Sequence, residues 1–395
     1  MDKLKILVCP ANKGGCSYYR AWSPYGKLQE MYPDLLEVKF DENPLGLDTS
    51  TGVWLPDWDF ESMKWADVIM TQNIANYGGP YTGRIIGKAQ EFGKFVHYDT
   101  DDLLTNLYEG HRLKSVYEDK GLSEITKFIY NNSHLVTVTQ RKFAKRVQQY
   151  CSGILAVVKN AIDYSLPAWN LAKTTPRKKK VVRIGWAGGI HHEEDVKEFA
   201  GIPHFVNQKV GKENVEWHFF GRPPKGEEKD EWQQDVWDNY KRTLLKGFKG
   251  ASNWFIHYAL PTDSYGAIFA NIDVAIAPLQ MNDFNDSKSE IKVAECGRYR
   301  VPLVASNVGC YDETIMNGKT GYLIDPKAPA SEWVKVLSKI IRDKKHRETM
   351  GNKLHEITEQ YFDLNKVVDQ RLQLYKESFL LAGRTDLVEK LKDIE

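Results

Sequence analysis

Short apolar runs rich in β-branched residues recur along the chain and alternate with stretches of helical periodicity. Six of these runs occupy residues 5–9, 36–40, 68–71, 95–98, 135–139 and 153–158. Their nearly continuous apolar character is typical of strands that are covered on both faces in a parallel sheet. Because such strands alternate with helices here, the pattern predicts a doubly wound α/β domain.

The same pattern restarts after a break. Residues 166–180 contain two prolines and end in a run of four basic residues, which predicts a linker. Six further apolar runs follow at residues 181–186, 215–220, 254–258, 274–278, 302–305 and 321–324. We therefore predict an N-terminal Rossmann-like domain over residues 1–165 and a C-terminal one over residues 181–360.

The remaining residues, 361–395, are charged and carry apolar positions at helical spacing. We predict that they form a helical tail that crosses back to the N-terminal domain. Two tandem doubly wound domains are expected to face each other across a cleft, where the carboxyl ends of both sheets meet. α/β proteins bind their ligands at such ends, so the cleft is the expected site.

Composition excludes several classes of protein. Hydrophobic residues make up 42% of the 395 residues, which is typical of a globular chain. Lys and Arg number 54 against 53 Asp and Glu, so net charge supplies no general attraction to nucleic acid or anionic lipid. The five scattered cysteines favour a reducing compartment. Without a signal peptide or a long apolar segment, we expect a cytoplasmic protein with no transmembrane segment.

Residues 285–326 are the most informative stretch. Ser287 and Glu290 have the spacing of a capping box, which predicts a helix that begins near Lys288. The free backbone amides at such a helix start bind anions. Two turns later, the carboxylate of Glu295 can accept hydrogen bonds from the hydroxyls of a ribose. A nucleoside diphosphate would satisfy both features, and the alternative is an ordinary capped helix before a buried strand.

These features resemble the retaining glycosyltransferases of GT-B fold, the large group that includes sucrose and glycogen synthases. The resemblance rests on the helix at 288–297, the sequence VPLVAS at 301–306, and the sequence GKTGYL at 318–323. The sequence KNAID at 159–163 looks like the family's Asn-Gly-Ile-Asp segment at the domain junction. The resemblance covers most of the chain. It implies that the second domain binds a UDP- or GDP-sugar and that the first binds the acceptor.

In that family an acidic pair separated by seven residues binds the donor sugar and the ribose. Glu295 matches the second member of the pair, whereas Ser287 stands in the place of the first. The resemblance therefore implies that Glu295 holds the ribose. The contact with the sugar would come from Asp286, from Glu290 or from the backbone after Ser287, as in the branch of the family whose helix opens with Lys-Ser.

A loop of small residues follows the first strand of the second domain, at residues 185–189. Glycines there allow the backbone to approach a phosphate closely. His191 and His192 follow, where members of the family usually carry Arg and Lys. They are predicted phosphate ligands, and the alternative is that they are exposed loop residues.

A second pair of glycines, Gly14 and Gly15, follows the first strand of the chain and opens a helix. The pair resembles the family's Gly-Gly turn near the donor phosphates, with Arg20 as the anion partner. The alternative is a pair of helix-packing glycines beside a surface arginine. The predicted donor-binding residues are thus Gly14, Gly15, Arg20, Gly188, Gly189, His191, His192, Ser287, Lys288, Ser289 and Glu295.

Three carboxylates, Asp99, Asp101 and Asp102, follow the strand at 95–98. Such density is costly unless a cation, a hydroxyl or a proton lies among them. Asp-x-Asp is the manganese signature of the other glycosyltransferase fold, but that fold has one nucleotide domain, so we predict no metal site and no required cofactor. Relatives of GT-B fold hold a His or Asp here beside the reacting sugar, which makes Asp99 and Asp101 the predicted catalytic residues. The alternative is that these carboxylates cap a helix near Leu103.

The predicted function is transfer of a sugar from a nucleoside-diphosphate sugar to a hydroxyl, with retention of configuration. The acceptor is either a glycan or lipid-linked sugar, or a hydroxylated base of phage DNA. Basic residues at 141–146 and 177–180 could bind the phosphates of a DNA backbone, although the near-zero net charge weighs against a DNA acceptor. Aromatic residues around 76–81 suit the apolar faces of sugars and equally suit a flipped base. The alternative function is nucleotide-sugar binding without transfer, or epimerisation, and the sequence does not fix an oligomeric state.

Overall fold

The computed structural model describes residues 2–48, 50–73, 81–172, 181–189, 191–223, 231–248 and 252–392. The chain divides into two compact units. Unit 1 consists of Met1–Ile162, Ser287–Ser289 and Phe362–Glu395, and unit 2 of Asp163–Asp286 and Glu290–Tyr361. The division falls between Ile162 and Asp163, before the predicted linker at 166–180. Trp169, which lies within the predicted linker, is a buried residue of unit 2. Residues 173–180, with the basic run, and residues 74–80, with part of the aromatic group, lie outside the described residues.

Unit 1 is built on a six-stranded parallel sheet and also contains a separate pair of short strands. In chain order, the strands of the unit are β1 (Leu4–Cys9), β2 (Leu36–Phe40), β3 (Leu47–Asp48), β4 (Val53–Trp54), β5 (Val68–Gln72), β6 (Phe95–Asp99), β7 (Leu135–Val138) and β8 (Ile154–Val157). Strands β3 and β4 form a separate antiparallel pair. The order of the main sheet is β2-β1-β5-β6-β7-β8, so its direction of growth reverses between β1 and β5.

Unit 2 contains a second six-stranded parallel sheet. Its strands are β9 (Val182–Ala187), β10 (Val215–Arg222), β11 (Trp254–Tyr258), β12 (Val274–Ala277), β13 (Leu303–Ser306) and β14 (Gly321–Ile324). The order β11-β10-β9-β12-β13-β14 is that of a Rossmann fold and reverses between β9 and β12. All twelve predicted strands are present, and the predicted α/β class with two Rossmann-like domains is confirmed.

Helices connect the strands of both sheets. They are α1 (Gly15–Ser17), α2 (Ser23–Met31), α3 (Glu61–Trp65), α4 (Tyr81–Glu91), α5 (Lys114–Asp119), α6 (Leu122–Asn131), α7 (Arg141–Val147), α8 (Glu193–Lys197), α9 (Ile202–Val210), α10 (Glu231–Leu244), α11 (Ala267–Ala270), α12 (Ile291–Arg298), α13 (Tyr311–Thr314), α14 (Ala330–Arg342), α15 (Lys344–Tyr361), α16 (Leu364–Leu381) and α17 (Thr385–Glu389). A π-helical turn, Tyr18–Trp22, joins α1 to α2. No helix among the described residues is long and apolar enough to cross a membrane.

Helix α16 completes the core of unit 1. Its buried residues Val368 and Leu372 join Ile6 and Val8 of β1 in one apolar cluster. Burial of this kind stabilises the fold by about 25 cal/mol for each Å² of apolar surface removed from water. The C-terminal segment is therefore part of the folded body of unit 1.

Unit 2 has its own apolar core beneath the sheet. Trp217 of β10 is buried against Phe199, and Trp333 of α14 contacts the same ring edge-on with centroids 5.2 Å apart. Aromatic pairs of this geometry add to the stabilisation from burial alone. This packing contributes to the stability of the sheet whose carboxyl ends carry the candidate site of unit 2.

Candidate functional site

Two loops of unit 2 meet where the sheet order reverses, beyond the carboxyl ends of β9 and β12. Asp195 of α8 connects them: its Oδ1 accepts hydrogen bonds from the amide of Gln280 at 2.8 Å and from Nδ2 of Asn285 at 2.7 Å. Its Oδ2 lies 2.7 Å from Nδ1 of His192. Because Asp195 is buried, the two loops and the imidazole are held in one arrangement. Open α/β sheets bind ligands at this position.

The two glycines before His192, Gly188 and Gly189, differ in the space available beside them. A Cβ on Gly188 would lie 2.4 Å from Cζ2 of Trp186, so packing alone requires glycine at that position. Beside Gly189 the space is open. His191 is exposed on the same loop. Gly189 is therefore the position of this loop that fits the predicted approach of a phosphate, whereas Gly188 is explained by its neighbour.

Helix α12 begins at Ile291, not near Lys288, and the predicted capping box is wrong. Glu290 occupies the position before the helix, and no side chain caps it. The carboxylate of Glu290 instead accepts a hydrogen bond from Sγ of Cys310 at 2.5 Å. Ser287, the other member of the predicted box, ends a 3-10 turn.

Glu295 lies on α12 and is almost fully buried. Its Oε2 lies 2.7 Å from Nζ of Lys292, which also donates to the hydroxyl of Tyr265 at 3.1 Å. Burial alone would lower the pKa of Lys292, but the charge of Glu295, the Tyr265 hydroxyl and the hydrogen bonds to both together outweigh it, and the pKa is raised. The pair is therefore an ion pair in which Lys292 fixes the direction of the carboxylate. An oriented carboxylate is suited to accept hydroxyl hydrogen bonds.

The alternative of a surface arginine is wrong for Arg20. Its side chain is fully buried in unit 1, and its Nε and Nη2 each lie 2.7 Å from an oxygen of Asp99. Thr137 donates to Oδ2 of the same carboxylate at 2.6 Å, and Arg371 of α16 lies 3.4 Å away. The two guanidinium charges outweigh the effect of burial and hold the pKa of Asp99 below its ordinary value. Both side chains are buried and paired with each other, which supports a structural role, and their predicted contacts with the donor and the reacting sugar stay predictions.

A hydrogen-bond chain leads from this ion pair to the segment Ser287–Ser289. Nη1 of Arg20 donates to Oδ1 of Asn160 at 3.0 Å, and Nδ2 of Asn160 donates to Oγ of Ser289 at 2.9 Å. Ser287 is buried and Lys288 is half-buried. Arg20 therefore acts at a distance, because it orients the asparagine that holds Ser289.

Gly14 and Gly15 lie at the carboxyl end of β1, beside the reversal of the first sheet. The amide of Gly14 donates to Oδ1 of Asn12 at 2.6 Å, and a Cβ on Gly14 would lie 2.9 Å from that oxygen. Gly15 begins α1, and the space beside it is open. Both glycines are exposed, which leaves their backbone accessible to a ligand.

His97 of β6 is not a candidate acid or base. Its Nδ1 contacts the hydroxyls of Tyr25 at 3.1 Å and Tyr375 at 2.7 Å, and its Nε2 lies 2.8 Å from Oγ1 of Thr137. Burial lowers the pKa of His97 to about 3, although the charge of Asp99 opposes the shift. The imidazole is therefore neutral and structural.

Of the two predicted catalytic residues, Asp99 and Asp101, Asp101 has the properties expected of a functional carboxylate. Its Oδ1 accepts a hydrogen bond from Nδ2 of Asn73 at 2.9 Å. Burial, followed by the charge of Asp102, raises the pKa of Asp101 to about 6. The alternative of a helix cap near Leu103 is wrong, because the next helix along the chain is α5, which begins at Lys114. A pKa displaced by burial and one neighbouring charge is common at functional sites.

The described part of the chain contains one group of side chains that could hold a metal ion, formed by Cys16, Asp101 and Asp102. One ligand atom from each residue lies within 4.8 Å of the other two. The donor set fits poorly. Mn²⁺ and Mg²⁺ prefer oxygen ligands, and a thiol must lose its proton to coordinate. The charge of Asp101 raises the pKa of the Cys16 thiol well above its ordinary value, so the thiol stays protonated.

We expect the Asp101 carboxyl to titrate near pH 6 in the folded protein. Asp102→Asn removes the neighbouring charge that raises this pKa, so the midpoint should fall by about one pH unit. NMR of protein labelled with ¹³C at the aspartate carboxyl carbons measures both midpoints, with Asp101→Asn identifying the resonance. A midpoint that Asp102→Asn leaves unchanged would contradict the assigned cause.

Several residues of the site were not predicted from the sequence. Lys292 precedes Glu295 by three positions, and Asp195 follows His192 by three, so helical spacing could have indicated both pairs. Asn160 lies in the segment that carries the family resemblance. Arg371 is 272 positions from Asp99, and no local signal indicates that contact.

Residues 242–356 match the family model described as "Glycosyl transferases group 1". The match runs from α10 into α15 and lies in unit 2 apart from Ser287–Ser289, so it includes α12 with Glu295. No curated protein sequence matches the chain.

The chain is similar in fold to solved structures over nearly its whole length. Sucrose-phosphate synthase from Thermosynechococcus elongatus is 14% identical to this chain and has a TM-score of 0.67. The match covers 96% of this chain and 100% of the synthase chain. HepE of Anabaena, solved in complex with UDP and glucose, is 15% identical over 95% of this chain and 100% of its own, with a TM-score of 0.59. Trehalose-6-phosphate synthase OtsA is 9% identical over 94% of this chain and 98% of its own, with a TM-score of 0.61.

These matches confirm the predicted resemblance and support the predicted enzyme class. The sheet orders, the position of α12 and the family match agree with one another. The chain has the GT-B fold and carries, over residues 242–356, the sequence pattern of the group 1 glycosyltransferases.

Proposed function

We propose that the chain transfers a sugar from a nucleoside-diphosphate sugar to a hydroxyl acceptor, with retention of configuration. The observation that carries the proposal is the buried, Lys292-oriented carboxylate of Glu295 on α12, within the segment that matches the family model. The solved HepE structures hold UDP, UDP-glucose, or UDP with glucose, which supports a uridine donor. In this proposal unit 2 binds the nucleotide and unit 1 binds the acceptor.

The proposed reaction needs no nucleophile from the protein. The bond between the sugar and the diphosphate breaks, and the acceptor oxygen forms the new bond on the same face. The acceptor proton passes to an oxygen of the departing diphosphate. In unit 2, backbone amides beside Gly189 would stabilise the charge on that diphosphate, and Gly15 and Lys288 stay predicted donor ligands. Asp101 would orient the acceptor hydroxyl or stabilise the positive charge on the sugar.

Two classes of acceptor remain in the proposal, a glycan or lipid-linked sugar and a hydroxylated DNA base. For a DNA acceptor, helix α7 carries four basic residues that could bind backbone phosphates: Arg141, Lys142, Lys145 and Arg146. The balanced net charge favours the sugar acceptor. The five unpaired cysteines support the expected cytoplasmic location.

Activity is expected not to require a divalent ion. Backbone amides and cations can hold the diphosphate, and the donor set of Cys16, Asp101 and Asp102 suits neither Mg²⁺ nor Mn²⁺. Turnover of the purified enzyme should be the same in excess chelator as in buffer. Complete loss of turnover in chelator, restored by Mn²⁺, would show that the acidic cluster is a metal site.

Donor binding is expected to depend on Glu295. Titration of the protein with UDP, GDP and their sugars identifies the nucleotide, and the tightest ligand is then used with Glu295→Gln. The loss of charged hydrogen bonds to the ribose should cost about 2–4 kcal/mol, roughly 30- to 1000-fold in affinity. Gln is chosen because its side-chain oxygen can still accept a hydrogen bond from the half-buried Lys292, whereas Ala would remove that acceptor.

Glu290→Gln is the matched control, because Glu290 is also buried and lies near the start of the same helix. Its affinity for the free nucleoside diphosphate should equal that of the parent, even if Glu290 contacts the sugar of the intact donor. Equal nucleotide affinity in folded Glu295→Gln and in the parent would refute the assignment of the ribose site.

A further inference from the structure

Unit 1 contains a cavity of about 620 Å³ that none of the predicted donor or catalytic residues lines. Three elements bound it: the segment between β2 and α3, helix α4 and helix α6. Most of its lining is apolar, from Leu45, Trp54, Leu55, Phe60, Ile125 and Phe128. Two of these side chains stay well exposed, Leu55 at 45% and Phe128 at 48%. Cavities of this size and character are typical of sites for small molecules.

Two glycines of α4 open the cavity. Gly83 and Gly87 lie one turn apart, on the face of α4 that lines it. A Cβ on Gly83 would come within 3.5 Å of Ile125, whereas nothing lies within 4 Å of a Cβ on Gly87. Glycine inside a helix costs about 0.5–1 kcal/mol relative to alanine. Packing does not explain glycine at position 87, and a side chain there would project into empty space.

The cavity also carries one cation without an anionic partner. The guanidinium carbon of Arg84 lies 4.7 Å from the ring centroid of Trp54, and no carboxylate of the described residues pairs with it. Nζ of Lys88, the other cation of the lining, lies 2.6 Å from a carboxylate oxygen of Glu91 and 4.7 Å from the ring centroid of Phe60. The lining thus combines an apolar wall with a single available positive charge, which is complementary to an apolar body that ends in an anion.

We infer that this cavity binds one amphiphilic anion, a molecule with a hydrophobic chain or ring and a phosphate, sulfate or carboxylate group. Its apolar part would lie against Phe60 and Ile125, and its anionic group would pair with the Arg84 guanidinium. The inference goes beyond the proposed function, since binding here requires neither the nucleotide nor turnover.

Binding of decyl phosphate to the full-length protein tests the inference, at concentrations below micelle formation and by isothermal titration. Gly87→Leu fills the open space and favours the helix, so it should fold normally and bind at least tenfold more weakly. Arg84→Gln should weaken binding about tenfold or more by loss of the charged pair. Gly26→Leu is the matched control, because Gly26 is also an exposed helix glycine with open space around it and lies outside the cavity. Its affinity should equal that of the parent.

Decanol and inorganic phosphate should each bind much more weakly than decyl phosphate. The inference is overturned if decyl phosphate does not bind the parent, if Gly87→Leu binds as tightly as Gly26→Leu, or if decanol binds as tightly as decyl phosphate. Binding to anionic vesicles without binding of the monomer also overturns it, in favour of a membrane surface. UDP affinity, measured on the same variants, should not change, so failure here leaves the donor site unaffected.

Discussion

Asp99→Asn is expected to lower the free energy of unfolding of unit 1 by about 3–5 kcal/mol, the usual cost of removing one partner of a buried ion pair. The substitution leaves Arg20 and Arg371 buried together without a counterion. Nε and Nη2 of Arg371 already have no partner in the described part of the chain, so no other anion can take over. The loss should therefore appear as instability of the fold, before any effect on chemistry can be measured.

Urea unfolding, followed by hydrogen exchange of peptides from β6 and α16, measures this loss in unit 1. Asp101→Asn is the matched control, two positions along the chain. Its Oδ1 can still accept from Asn73, and the raised pKa of Asp101 shows that the site does not favour the charge. Its stability should lie within about 1 kcal/mol of the parent. An unfolding midpoint of Asp99→Asn equal to that of the parent would contradict a structural role for Asp99.

Asp101→Asn is expected to lower turnover by about 100- to 1000-fold, as for removal of one preorganised electrostatic stabiliser. The reason is that a charge which orients the acceptor or stabilises the transferred sugar acts mainly in the transition state. Affinity for the donor should therefore change little. Steady-state kinetics with the true acceptor and titration of the donor separate the two effects.

The control for this prediction is Asp102→Asn, which removes the adjacent charge but leaves Asp101 in place. Its turnover near neutral pH should stay within a few-fold of the parent, with the acid limb of the pH profile moved to lower pH. Parental turnover in a folded Asp101→Asn variant would leave unit 1 without a catalytic carboxylate and would contradict the assignment.

Most of the fold could be predicted from the sequence, because its signals are local. A strand covered on both faces is a short apolar run, and both sheets consist of such strands. The tight turn at Gly14 and the glycine loop after β9 are also local features, so their positions at the carboxyl ends of strands follow from the chain alone.

The predictions that the structure does not support concern contacts made at long range. The glycine turn suggested a ligand for Arg20, and the cluster of carboxylates at the end of β6 suggested one for Asp99. They pair instead, 79 positions apart, with an arginine from α16 beside them. The predicted capping box failed for a similar reason, because Cys310 of another loop takes the carboxylate of Glu290. Local spacing indicated which hydrogen bonds and ion pairs these side chains could form. Tertiary packing determines the partners that they have in the structure.

Transfer itself is the most direct test of the proposed function. The purified enzyme is incubated with the donor chosen by titration and with oligosaccharides, lipid-linked sugars or DNA containing 5-hydroxymethylcytosine, and the acceptors are then examined by mass spectrometry. We expect one acceptor class to gain the mass of one sugar residue, with an equal amount of nucleoside diphosphate released. If the donor binds in a Glu295-dependent manner but no acceptor gains mass, and the donor is recovered intact or epimerised, the protein is a nucleotide-sugar binding protein or an epimerase and not a transferase.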